Sequence, residues 1–141
     1  TPPCHRLGVV LPEAPSVEDA IHLAGLDWTV SLQSLAALIP IPGDAETFDA
    51  LDVTGYRAVI RDSDRAVLGV VGKDYRPLQN ARAFEFFEPF VSSGLCSLET
   101  AGSLKGGKRI WVLARLRDAD AEVVPSDRVR GFFLLSNSHD G

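Results

Sequence analysis

A chain of 141 residues, 45% of them hydrophobic, is one ordinary domain's worth of sequence, long enough to bury a sizeable core. No apolar run approaches the roughly 18 residues of a spanning helix, and no charged start leads into an apolar stretch of the signal-peptide kind, so a cytoplasmic protein with no membrane partner is expected. The net charge of −5 argues against binding duplex DNA by bulk charge alone.

That charge is unevenly spread. Residues 1–55 set Arg6 against Glu13, Glu18, Asp19, Asp27, Asp44, Glu46, Asp49 and Asp52, whereas the remaining residues carry thirteen cations against eleven carboxylates. An anionic partner therefore stays open for the second part. The chain starts at Thr1 and stops at Gly141 inside a strand-like run. We read it as a single domain over 1–141, a fragment of a longer protein.

In chain order, the proline-rich opening predicts irregular structure. The run SVEDAIHLAGLDW predicts a short helix, capped by Ser16 and stopped at Gly25. Alternation predicts a strand from Thr29 to Leu35. The stretch from Ile39 to Gly55 reads as a loop, because Pro40 and Pro42 deny ladder hydrogen bonds. YRAVIRD and AVLGVVG predict a hairpin, followed by a helix over Leu78–Val91 with a kink at Pro89. CSLETAGSL, a KGG turn and KRIWVLARLR predict a second hairpin, and RVRGFFLLSNS a final strand. The order α-β-β-β-α-β-β-β implies an α+β fold: a mainly antiparallel sheet built from β-hairpins, with helices packed on one face.

Metal and thiol chemistry find little support. Cys4 and Cys96 lie in no CxxC pattern and read as free thiols of a reducing compartment. His5, His22 and His139 are scattered, so no metal site is expected. Asn137, His139 and Asp140 gather in SNSHDG, which reads as a polar strand end rather than a catalytic pair. A hydrolytic centre of Glu99, His139 and Asp140 ranks last among the readings.

The densest signal is the strand Lys108–Arg117. Its alternation sets Ile110, Val112, Ala114 and Leu116 on one face and Arg109, Trp111, Leu113, Arg115 and Arg117 on the other. Cations interleaved with an indole suit single-stranded nucleic acid, the cations meeting phosphates and the ring stacking on bases. The adjoining turn adds Lys105 and Lys108. The competing reading is a solvated face with Trp111 covered by a neighbour. The candidate nucleic-acid site is thus Lys105, Lys108, Arg109, Trp111, Arg115 and Arg117. In KDYRPLQN, Tyr75 reads as a packing residue before the helix rather than as a base contact.

GVVGKDYRPLQNARAFEFFEPFV, ETAGSLKGGKRIWVLARL and FLLSNSHDG together resemble a phage- and plasmid-related family, the domain of unknown function numbered nine-three-two, over about Tyr56–Gly141. Residues 1–55 match more loosely. More distantly the chain is similar in architecture to the Rad-fifty-two-like single-strand annealing proteins of phages. That resemblance implies binding and annealing of single-stranded DNA by a homo-oligomeric ring, without ATP, metal or any other cofactor. The alternative is a non-enzymatic structural or protein-interaction module of a mobile element, binding through sheet edges or its acidic first part.

Overall fold

The computed structural model describes residues 8–12, 15–116 and 131–141. The elements run β1 (Val9–Val10), α1 (Val17–Leu23), β2 (Val30–Ile41), β3 (Asp44–Arg61), β4 (Ala66–Gly72), α2 (Asn80–Glu85), α3 (Glu88–Ser92), β5 (Cys96–Leu104), β6 (Arg109–Leu116) and β7 (Phe132–Ser138), with a short 3-10 turn at Lys105–Gly107. All strand pairs are antiparallel. The fold is α+β, but its strands form two sheets: β1-β5-β6-β7 and β2-β3-β4.

Local chemistry explains the helix boundaries. Ser16 accepts a hydrogen bond from the Asp19 N–H at 3.1 Å, and Gly25 takes the left-handed conformation that ends α1. The single helix expected over Leu78–Val91 is two short ones that break at Phe86–Phe87. Pro89 has no N–H to give the Glu85 carbonyl, and its ring clashes there, so the helix cannot run through.

The main core lies between the helices and one face of the four-stranded sheet. Ala20, Ile21, Phe84 and Phe87 meet Leu98, Ala101, Ile110, Val112 and Ala114. A smaller cluster of Val30, Val59, Leu68 and Val71 belongs to the three-stranded sheet, and Trp28 packs against both clusters.

The loop expected over residues 39–55 is instead strand. β2 and β3 run together to a turn at Pro42–Gly43, where Gly43 has a φ of 85°. Pro40 is tolerated because β2 is the edge of its sheet, where a missing N–H on the outer side costs no ladder bond. β4 pairs with β3 only as far as Tyr56. Register shifts leave extra residues on β3, so the arm's length is set by Leu35–Ile41 of β2, which rise about 3.3 Å each and carry the two-stranded arm about 23 Å beyond β4.

Candidate functional site

Two polar runs of the sequence meet at one junction between the two sheets. β7 delivers Asn137–Asp140, and the segment before α2 delivers Tyr75 to Asn80. Nε2 of His139 lies 2.8 Å from Oδ1 of Asn80, while Nδ2 of Asn80 donates to the Leu26 carbonyl at 3.0 Å. Because that amide nitrogen is committed, the imidazole carries its proton on Nε2. Gln79 bonds both the N–H and the carbonyl of Val30, each at 2.9 Å. The Tyr75 hydroxyl donates to the Ser138 carbonyl and the Asn137 amide to the Leu78 carbonyl. Tyr75 is a packing residue, as expected from the sequence.

A stack of rings and cations closes the junction. Trp28 lies 5.4 Å from the His139 ring, and the Arg61 guanidinium sits 5.2 Å over Trp28. Arg61 also donates to the Gly106 carbonyl at 3.1 Å and pairs with Asp64 at 2.8 Å. Gly107 makes this possible: its φ is 98°, and a Cβ there would lie 2.5 Å from the Arg61 Nη1. Arg61 holds the Asp64 carboxyl down at about 2, with help from the Ala66 N–H. Burial pushes the His139 imidazole below its ordinary value, opposed by Asp140. The Ser138 hydroxyl, more than Lys105 and Lys108, lowers the Asp140 carboxyl.

This junction leaves the hydrolytic arrangement unassembled. His139 is fully buried with its Nε2 engaged, and Glu99 pairs with Arg115 at 3.1 Å. Among the described residues, no group of three or more His, Cys, Asp or Glu could hold a metal ion. Cys96 is a buried free thiol; Cys4 lies outside the described residues.

The expected Arg–Trp face takes a different form. Trp111 is only 5% exposed, and the chain at Gly8 lies against its ring: a Cβ on Gly8 would sit 2.6 Å from Cζ2 of the indole. Leu113 on the same face is buried too, and Arg115 is half-buried against Glu99. Strand alternation was read correctly, but both faces are covered: Ile110, Val112 and Ala114 pack in the main core, and the chain at Gly8 lies on the Trp111 ring. Trp111 therefore offers no open ring for a base. Lys105, Lys108 and Arg109 are exposed around the 3-10 turn, and Arg117 lies outside the described residues.

The feature that sequence reading missed is the β2–β3 arm. No residue from Ser34 to Tyr56 is buried. Register sets Leu35, Ala37, Ile39, Leu51 and Val53 on one face and Leu38, Pro40, Phe48 and Ala50 on the other. Leu38 is 63% and Leu51 54% exposed. Exposed apolar side chains on both faces of a two-stranded ribbon are unusual, since such a ribbon alone is marginally stable in water. A second apolar feature is a cleft of about 250 Å³ lined by Phe86, Phe87, Phe90, Phe133, Leu134 and Leu135, with no polar side chain to orient a small ligand.

Two antiparallel sheets stitched by one buried polar junction, with helices on one of them, define an α+β domain carrying a β-ribbon arm. The chain belongs to the family of the domain of unknown function DUF932, whose profile matches residues 67–141. The matched segment holds the junction's polar runs and all of the second hairpin; the arm lies before it. No curated protein and no solved structure matches the chain. No helix among the described residues is long and apolar enough to cross a membrane.

Proposed function

We propose that this domain is a non-enzymatic interaction module that binds a protein chain through its β2–β3 arm. The observation that carries this reading is the arm's exposure of Leu38, Ile39, Phe48 and Leu51 on a ribbon that contributes nothing to either core. A folded chain gains nothing by holding those side chains in water, whereas a partner strand or face that covers them gains hydrophobic burial and ladder hydrogen bonds together. An arm-shortened variant, with residues 35–53 replaced by a two-residue turn, tests this. It keeps both cores and loses the cross-linked protein adducts that the full chain forms in cell extract. Identical adducts from both proteins contradict the reading.

A second reading is the binding or annealing of single-stranded DNA by a mobile-element protein. It is supported by the resemblance of the sequence to phage- and plasmid-related proteins and by the exposed Lys105, Lys108 and Arg109. With Trp111 and Arg115 committed elsewhere, such contact would run to phosphates rather than bases. Fluorescence anisotropy with a labelled oligonucleotide at low salt tests it. The reading requires salt-sensitive, sequence-independent binding that falls when the three cations become alanine, and it fails if the full chain does not bind.

A further inference from the structure

We infer that the arm's partner is a second copy of this chain, paired edge to edge through β2 about a two-fold axis at Ala37. The inference rests on the interaction-module reading and specifies the occupant.

The choice of strand follows from charge. Antiparallel pairing about a two-fold axis sets a segment against itself, so any charge it carries lies close to its own sign. Over Val30–Ile41 there is no Asp, Glu, Lys or Arg. β3, by contrast, carries Asp44, Glu46, Asp49 and Asp52 along the arm with no cation, and self-pairing on that side would bring carboxylates together. Edge strands that stay single are ordinarily guarded by charge, by a bulge or by a covering element. β2 has none of the charge, the register shifts at Ser34/Leu35 and Pro40/Ile41 put their extra residues on β3 rather than β2, and among the described residues the group hydrogen-bonded to its outer edge is Gln79 at Val30.

The register follows from the backbone. Val30 turns its N–H and carbonyl outward to Gln79, and because the register shift at Ser34/Leu35 puts its extra residues on β3, alternation along β2 continues that direction through the even-numbered residues. Pro40 fits this pattern, since a proline nitrogen in an edge strand faces away from the ladder. Ala36 and Leu38 are then the outward-facing pair that can exchange hydrogen bonds with Leu38 and Ala36 of the copy. Pro40 offers no donor and ends the pairing. The joined arms make a four-stranded ribbon on which the exposed Leu38 and Ile39 of each copy gain cross-strand neighbours, bringing the arm to the three or more strands that a stable sheet needs.

Light scattering of the purified chain on a sizing column tests this directly. A dimer is expected at micromolar concentration. Leu38→Lys, at an exposed position outside both cores, raises its dissociation constant at least about tenfold, while Val67→Lys on the exposed β4 leaves it unchanged. Ala37 faces its copy across a non-hydrogen-bonded pair with Cα atoms about 4.5 Å apart, so Ala37→Cys cross-links as a disulfide dimer under mild oxidation. A monomer, a trimer or larger closed ring, a dimer indifferent to Leu38→Lys, or the absence of the Ala37→Cys cross-link each overturns the inference. A monomer that still forms arm-dependent adducts in extract overturns only the choice of partner; loss of those adducts as well overturns the interaction-module reading.

Discussion

His139 and Asn80 stand 59 residues apart in the chain and meet through a 2.8 Å hydrogen bond in a site closed to solvent. Each is the partner that the other's burial requires. The pair, with Trp28 above it and Leu26 behind it, fixes the end of β7 to the start of α2, and the neighbouring Gln79 ties that point to Val30 of the three-stranded sheet.

Asn80→Ala should be costly. It leaves the Leu26 carbonyl and the His139 Nε2–H without partners in a dry site, where each orphaned group carries a penalty of about 1–3 kcal/mol. A loss of at least about 2 kcal/mol in urea unfolding is expected. A loss no larger than that of an ordinary surface substitution would show that the junction does not hold the fold.

The same site sets a pH dependence. Burial holds the folded His139 below its ordinary value of 6.5, so the unfolded chain binds the extra proton first as the pH falls. The stability it confers is complete above pH 6.5 and is lost as the pH drops through that value toward the lower folded one. Urea midpoints across this range should decline more steeply for the wild type than for His139→Gln, the difference approaching about one proton. Parallel profiles would mean that His139 titrates alike in both states.

Asp64 offers a check on the Arg61 contact. Its carboxyl should titrate near 2 by carbon-detected NMR and move up toward the ordinary carboxylate value of about 3.9 in Arg61→Ala. An unchanged titration would place Arg61 elsewhere, and with it the link to Gly106.

Two glycines of β4 should behave oppositely. A Cβ on Gly69 would lie 2.6 Å from the Asp140 Cα, a backbone atom that cannot swing aside, whereas Gly72 has nothing within 4 Å. Gly69→Ala should destabilise by about 1–3 kcal/mol, and Gly72→Ala should be neutral or slightly stabilising. Equal effects in thermal unfolding would contradict the packing of the final strand against β4.

The sequence made much of this legible, for identifiable reasons. The Ser16 cap, the Gly25 stop, the hairpin at Lys105–Lys108 and the packing role of Tyr75 are local signals, and each stands where it was read. Strand alternation in Ile110–Leu116 was also right, but the cover on the Trp111 face is the chain at Gly8, about a hundred residues earlier, and no local pattern reports so distant a contact. The arm was hidden for the opposite reason. Pro40 and Pro42 resemble loop chemistry, and only the edge position of β2 lets one of them sit within a strand. Of the eight carboxylates of residues 1–55, Asp44, Glu46, Asp49 and Asp52 lie on β3 along the arm.

Hydrogen exchange along residues 35–53 of the full chain, measured from dilute to concentrated protein, tests the central claim most directly. An arm that works by pairing should exchange fast when dilute and slow markedly on concentration at the outward amides of Ala36 and Leu38, while the His139 junction stays protected throughout. An arm whose exchange does not change with concentration would contradict self-pairing, and one that also stays unprotected when cell extract is added would contradict its role as an interaction surface.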